Sequence, residues 1–326
     1  MKYYDIREKL QQLRAISIII GGRGIGKTYS TLRFLIENGE KFIYLRNTKE
    51  QIDTCGTDFG NPFKKLNTDF SWDLHIDKEG KHFVVRSHED GKKGDPIGYA
   101  AALSTFENLR GVDLSDVKYV LFDEFIERRT LTFDQFSSFV SFYETVNRNR
   151  ELEGEEPLKV IMLSNAQKLG NPILAGYQII PVIERMLKQD QRVYKTRFLY
   201  IELPVSEVSD AKRKTANYQL IAGSQYAAEA LDNEFAYDSF FNIGKKNILE
   251  YKAQCIIDGI TIYRHKAKEE YYACLIHADV TEFNSKDQRL IWMRTFGQYY
   301  REAYAAGKFY FSDFTTKLNF AKLIAM

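Results

Sequence analysis

The stretch Ile16-Ser17-Ile18-Ile19-Ile20-Gly21-Gly22-Arg23-Gly24-Ile25-Gly26-Lys27-Thr28 places four residues between Gly21 and Gly26 and follows them with Lys and Thr. That is the phosphate-binding loop pattern, in which glycines let the backbone turn tightly enough to aim its amides at phosphate oxygens. The β-branched run Ile16 to Ile20 reads as a buried strand. Thr28 to Asn38 reads as a helix with Leu32, Leu35 and Ile36 on one face and Gly39 as its stop. Strand, loop and helix in that order set a helix N-terminus under the phosphates, where free amides and the macrodipole both favour negative charge. The nucleotide-binding set is therefore Gly21, Gly22, Arg23, Gly24, Ile25, Gly26, Lys27 and Thr28, with Lys27 reaching the β- and γ-phosphates of ATP and the Thr28 hydroxyl on Mg2+. The bland alternative is a glycine-rich turn between strand and helix.

Some 95 residues further on, Tyr119-Val120-Leu121-Phe122-Asp123-Glu124 is an apolar strand ending in two carboxylates, the form of a Walker B element. Asp123 is expected to hold the magnesium and Glu124 to polarise the attacking water. The pair favours an ATPase of the class with an extra strand and a catalytic glutamate over a kinase or GTPase. Asp77-Lys78-Glu79-Gly80 matches Asp-x-x-Gly but reads as a β-turn, and neither Asn-Lys-x-Asp nor Leu-Ser-Gly-Gly occurs. Further strands are expected at 41–46, 82–86, 98–104, 118–122 and 159–163, with 88–96 joining two of them as a hairpin. The last of these strands stops at Ser164-Asn165, where Asn165 either senses the γ-phosphate and the attacking water or simply starts a turn.

Thr132 to Val146 reads as an amphipathic helix, with Thr132 and Gln135 as a capping box and Phe133, Phe136, Val140, Tyr143 and Val146 as its core stripe. Asn147-Arg148-Asn149-Arg150 follows directly. Either arginine could cap carbonyls or pair with Glu144 and Glu151. An arginine lent to a neighbouring subunit's γ-phosphate would instead accelerate hydrolysis about a thousandfold or more. Arg23 is a second unusual cation, with no role decided by the residues alone.

Composition bounds the rest. The 326 residues, 44% hydrophobic and 28% charged with 23 Phe and 21 Tyr, describe a folded globular chain of two domains, or of one domain with a sizeable appendage, rather than a disordered, fibrous or coiled-coil one. A net charge of +2 gives no general attraction to polyanions, so any such partner needs a local patch. Cys55, Cys255 and Cys274 suit neither a disulfide framework nor a zinc site, and the expected setting is intracellular, without leader or membrane span.

Taken together, Gly22-Arg23-Gly24-Ile25-Gly26-Lys27, Phe42-Ile43-Tyr44-Leu45-Arg46, Phe122-Asp123-Glu124-Phe125-Ile126, Asn147-Arg148-Asn149-Arg150-Glu151 and Leu163-Ser164-Asn165-Ala166 resemble the DNA-packaging ATPase of small short-tailed phages with protein-primed linear genomes. The resemblance implies a homomeric ring, five-fold in that family, docked on the portal or connector of an empty procapsid and driving double-stranded DNA inward with ATP. It implies Arg148 as the finger acting in trans, and it puts Lys49 where another basic residue is suspected of acting across the interface, although Asn47 stands where the family can carry a second basic residue. In such motors a packaging RNA can bridge ATPase and portal. The implied location is the cytoplasm of the infected host, transiently on the procapsid.

The fold class expected is α/β: a P-loop NTPase with an extra-strand, catalytic-Glu sheet over 1–178, a linker over 179–235, and a C-terminal α+β domain resembling ribonuclease H over 236–326. In that last part, Asn247 to Ile257 alternates, Asp258-Gly259 turns the chain into 260–265, and a third strand spans 271–277. Ser285 and Gln288 then cap a helix running to Ala306, with Leu290, Met293, Phe296, Tyr300 and Tyr304 inward. Asp258, Asp279 and Asp313 do not suit a two-metal nuclease, so no nuclease activity is expected and the domain is read as binding nucleic acid or portal. Lys245, Lys246, Lys266, Lys268, Lys286 and Arg289 are the candidate contacts. The competing readings are a helicase-like ring ATPase and a non-enzymatic, nucleotide-dependent assembly scaffold.

Overall fold

A strand with no polar face needs neighbours on both sides, and β1 (Ile16–Ile20) has them: Ile18, Ile19 and Ile20 are wholly buried. The computed structural model describes residues 2–325 apart from 110, 128–130, 168, 225–226, 228–229 and 232–241. The chain divides into two compact units, one of Met1–Gly176 with Met186–Tyr237 and one of Tyr177–Arg185 with Asp238–Met326.

In the first unit, β1 leads through the glycine loop into α1 (Lys27–Asn38), and then come β2 (Lys41–Arg46), α2 (Lys49–Cys55), α3 (Lys64–Phe70), β3 (Leu74–Glu79), β4 (His82–Glu89) and β5 (Lys92–Ala102). There follow β6 (Val117–Asp123), α4 (Gln135–Asn147), β7 (Lys159–Ser164), α5 (Pro172–Gly176), β8 (Val193–Lys195), β9 (Leu199–Glu202) and α6 (Glu207–Arg213). The strands form one sheet in the order β3-β4-β5-β2-β6-β7-β1-β9-β8. From β5 to β9 all pairings are parallel; β3, β4 and β8 run antiparallel at the edges. Strand β7 lies between β1 and β6, with Ile20 opposite Ser164 and Asp123 opposite Leu163. The extra strand thus separates the phosphate-loop strand from the strand of paired carboxylates. All three end at the same edge.

Four expectations need correction here. Asp77, Lys78 and Glu79 are not a turn but the end of β3, paired with Val84, Phe83 and His82; the turn is Gly80, at φ 60°. The alternation Leu74, Ile76 buried against His75, Asp77 half-buried is the period-2 signal that the Asp-x-x-Gly match obscured. The stretch 179–235 is not a linker throughout, because Leu199–Glu202 pairs with β1 and buries Tyr200 and Ile201. Helix α4 is capped by Asp134, whose side chain accepts from the Ser137 amide, rather than by Thr132. Its buried stripe is Gln135, Phe139, Phe142 and Val146, turned from the expected one so that Phe139 stacks on Phe122 at 5.9 Å.

The second unit holds a five-stranded sheet, β13-β10-β11-β12-β14. Strands β10 (Tyr251–Ile257), β11 (Ile260–His265) and β12 (Tyr271–Cys274) form the expected antiparallel meander, while β13 (Glu282–Phe283) and β14 (Phe309–Phe311) add in parallel at the two edges. Asp258, at φ 48°, makes the hairpin turn with Gly259. Strand β12 stops before Leu275 and Ile276, which are exposed. Both halves of the Ser285–Gln288 capping box are present, but the helix they start is interrupted by a π-turn over Met293–Gly297. One extra residue per turn slips the helical phase, so Trp292 is buried and Leu290, expected inward, is half exposed. The core is aromatic: Tyr271, Trp292, Tyr300, Phe309, Phe311 and Phe320. Asp313 accepts from the Thr316 amide, and Asp258 pairs with Arg289 at 2.8 Å. The expected boundary at 235/236 lies outside the described residues. No helix among the described residues is long and apolar enough to cross a membrane.

Candidate functional site

The loop between β1 and α1 needs glycine where the backbone turns left-handed. Gly24 has φ 67° and Gly26, the N-cap of α1, has φ 103°. The turn folds Lys27 back over its own loop. Its ammonium donates to the Gly21 and Gly22 carbonyls, both at 2.8 Å, and to Asn165 Oδ1 at 3.2 Å. Lys27 is only 7% exposed. Burial pushes its pKa down to about 7, with the Lys212 charge acting in the same direction and Asp123 and Glu124 opposing. Asn165 comes to this point because β7 is inserted beside β1.

The next residue in α1 faces the carboxylate strand. Thr28 Oγ1 donates to Asp123 Oδ1 at 3.0 Å, while the other Asp123 oxygen accepts from the Tyr44 hydroxyl at 3.1 Å and lies 3.5 Å from the Arg46 guanidinium. Burial raises the Asp123 pKa, and Arg46 works against it. One hydroxyl and one carboxylate at hydrogen-bonding distance, both hard oxygen donors, fit a magnesium ion that takes its other positions from phosphate oxygens and water.

Glu124 departs from the strand at φ 52°, a conformation uncommon outside glycine, and its exposed carboxylate pairs with Arg46 at 2.6 Å. Arg46, at the end of β2, thus bridges both acids. Burial alone would lower its pKa, and Tyr44, Asp123 and Glu124 outweigh that. The backbone beyond Glu124 is held by three buried amides. Asn47 donates to the Glu124 carbonyl at 3.1 Å, Gln135 donates to Asn47 Oδ1 and to the Phe125 carbonyl at 2.7 Å each, and Asn171 donates to Gln135 Oε1 at 2.9 Å. From sequence, Tyr44 and Arg46 entered only as part of the resemblance, Asn47 only as a missing basic residue and Gln135 only as half of a capping box, and none of them was given a place at this site. Their only signal is that β2 ends in polar residues beside β6.

Lys27, Thr28, Asp123, Glu124 and Asn165 line one cavity of about 710 Å³, which continues past Tyr3 and Tyr29 to Lys65 and Asp69. Its volume is in the range of a nucleotide-sized pocket. Arg148, Arg150 and Lys49 are not among the residues that line it, whereas Gly24 and Gly26 are. Arg148 is exposed at the end of α4, donating to the Val112 carbonyl at 2.9 Å and lying 3.6 Å from Asp113. Arg150 is buried and donates to the Leu114 and Ser115 carbonyls. Neither pairs with Glu144 or Glu151 as the sequence allowed. Lys49 opens α2 and pairs with Asp53 at 2.5 Å. Arg23 lines the cavity mouth.

Comparison with known proteins adds an independent line. A family model described as podovirus DNA encapsidation protein (Gp16) matches residues 1–258. The DNA packaging protein of Bacillus phage B103 is 31% identical over 242 residues, covering 72% of this chain and 68% of that protein. The DNA packaging protein of Bacillus phage phi29 is 30% identical over 253 residues, covering 75% and 69%. Among solved structures, the bacteriophage Phi-29 viral genome packaging motor assembly matches with TM-score 0.68 at 23% identity, covering 99% of this chain and 98% of that one. The Phi-28 gp11 DNA packaging motor matches with TM-score 0.62 at 20% identity, covering 99% and 97%. At these identities the structural likeness speaks to the fold of both units.

Proposed function

The chain belongs to the podovirus DNA encapsidation protein family, and from that premise we propose that it is an ATP-hydrolysing motor that moves double-stranded DNA into a procapsid. The relatives are named as DNA packaging proteins and the structural neighbours as packaging motors, which supports a ring of identical subunits acting at the portal. What carries the catalytic half of the reading is one observation: Lys27 and Thr28 at the start of α1, Asp123 and Glu124 at the end of β6, and Asn165 at the end of β7 meet in a single cavity.

The chemistry follows from that geometry. A triphosphate entering the loop draws the Lys27 ammonium off the Gly21 and Gly22 carbonyls onto β- and γ-phosphate oxygens, and the α1 N-terminus supplies amides to the same charge. Thr28 and Asp123 would hold magnesium, which neutralises phosphate charge when bound. Glu124 takes the proton of the attacking water, or orients that water, once its carboxylate leaves Arg46. Asn165, released from Lys27, is free to hydrogen-bond the γ-phosphate or the water. Arg148 is exposed and held by one carbonyl and one distant carboxylate, which suits a guanidinium offered to a neighbouring subunit. The decisive experiment is the ATPase rate with and without duplex DNA in the presence of portal. Stimulation by duplex but not single strands supports packaging over a helicase. Turnover abolished by Glu124→Gln with nucleotide binding retained supports the site. Absence of any turnover in the unsubstituted protein would leave only a nucleotide-dependent scaffold.

A further inference from the structure

The segment after β9 covers the phosphate loop. A Cβ added to Gly21 would lie 2.8 Å from Pro204, and one added to Gly22 would lie 3.0 Å from Ser209 and 2.9 Å from the Ala230 carbonyl. The Arg23 amide donates to that same carbonyl at 3.0 Å. From α6, which Ser206 caps, the Lys212 ammonium reaches the Arg23 carbonyl and stands 2.6 Å from where a Gly24 Cβ would be. Among the described residues Lys212 meets no carboxylate within ion-pair distance, whereas its neighbour Arg213 has Asp210 at 3.7 Å. It is an ammonium held against a phosphate-binding loop by a neutral carbonyl.

We infer that Lys212 is a further phosphate-binding residue, a lysine brought in from the covering segment that engages the outermost phosphate of the nucleotide. The inference rests on the triphosphate site described above. Lys27 and the α1 N-terminus serve the phosphates nearest the helix. Arg23 and Gly24, the two loop residues that Lys212 meets, line the same cavity as Lys27, Asp123 and Glu124. A terminal phosphate lying there would meet Lys212 and take its ammonium from the Arg23 carbonyl. Electrostatics agree with the placement: burial and then Arg23 lower the Lys212 pKa, and Lys212 in turn lowers that of Lys27, so three cations stand close together at the loop. A triphosphate relieves that crowding more than a diphosphate does.

The test is binding of mant-ATP and mant-ADP to the full chain carrying Lys212→Gln, which keeps a donor for the Arg23 carbonyl and removes the charge. ATP affinity should fall about tenfold or more, the size of a lost charged hydrogen bond, while ADP affinity changes less than about twofold. Lys212→Arg, which restores the charge, should recover most of the ATP preference and guards against a folding defect in the first variant. Equal losses for both nucleotides, a lowered melting temperature without selective loss, or no change at all would each overturn the inference. Failure of the unsubstituted protein to bind either nucleotide would overturn the site reading itself, and Lys27→Ala, which should lose both nucleotides, separates that case from the others.

Discussion

Binding of nucleotide should take up a proton at Lys27, and the size of the effect follows from its burial. In the empty protein its pKa is about 7, set by burial and opposed by Asp123 and Glu124. Bound to phosphate it must be fully charged, because an ammonium among phosphate oxygens has its charge stabilised rather than desolvated. The sign is fixed by linkage: a group that gains protons on binding makes affinity fall as pH rises above its free pKa. With a free value near 7, roughly 0.9 proton should be taken up per nucleotide at pH 8, and affinity should drop about 25-fold between pH 6.5 and 8.5, or about 1.9 kcal/mol. The assay is calorimetric titration of a non-hydrolysable nucleotide in buffers of different ionisation enthalpy. Ionisation of the γ-phosphate runs the other way and is confined to the acid side, since its pKa is about 6. Lys27→Arg is the control: a guanidinium stays charged across this range, so its pH dependence should vanish even if its affinity is lower. Equal heats in all buffers at pH 8, or affinity that climbs with pH, would refute the claim that Lys27 is half-neutral in the empty site. The stability of the empty protein carries the same signature. A lysine depressed from 10.5 to about 7 binds more protons unfolded than folded between those values, so stability should rise with pH across that window.

Arg46→Met should free Glu124 and remove the charge that holds down Asp123, so nucleotide binding should need more magnesium at pH 6 than at pH 8; an unchanged magnesium dependence would count against the bridge. Asn47→Ala leaves the Glu124 carbonyl and the Gln135 amide short of a partner in a fully buried place, and chemical denaturation should show a loss of about 2–3 kcal/mol. A loss below about 0.5 kcal/mol would mean water replaces it. Mixing Arg148→Ala subunits with Lys27→Ala subunits should recover ATPase activity that neither has alone, provided the ring is assembled on the portal; no recovery at any ratio would argue that Arg148 acts within its own chain or not at all.

Those features of the site that are contiguous in the chain were legible in the sequence. The loop from Gly21 to Thr28, the strand ending at Asp123-Glu124 and the polar stop at Asn165 each combine a local pattern with a local chemical consequence, and the structure brings all of them to one cavity. What stayed hidden was set by pairing between distant segments. Arg46 is an ordinary strand-end arginine until β2 is seen to lie beside β6, with Leu45 opposite Phe122. Gln135 was read as half of a capping box because Thr132 precedes it by three, but its side chain is wanted inside by Asn47 and the Phe125 carbonyl. Lys212 was lost in a stretch read as connecting because β9 has only four residues, too few for a periodic signal, yet that strand is what returns the chain to the loop.

The groups assigned to the reaction have protein partners in this structure. Lys27 holds loop carbonyls and Asn165, Thr28 holds Asp123, Glu124 holds Arg46, and Lys212 holds the Arg23 carbonyl. In the proposed roles Lys27, Asn165, Glu124 and Lys212 would each change partner, while Thr28 can keep Asp123 beside a magnesium ion, so nucleotide binding would be largely an exchange of partners. Because the net value of a hydrogen bond is the difference between partners, the exchange reports which partner won. Glu124 is the telling case. Its carboxylate pairs with Arg46 at 2.6 Å, and in the proposed mechanism that pairing would have to break before it could act on water. An unpaired Glu124 would be ready to activate water whenever nucleotide arrived. On the proposed mechanism a paired one would make hydrolysis wait on a change at the end of β2, three residues before Lys49 opens α2 and pairs with Asp53.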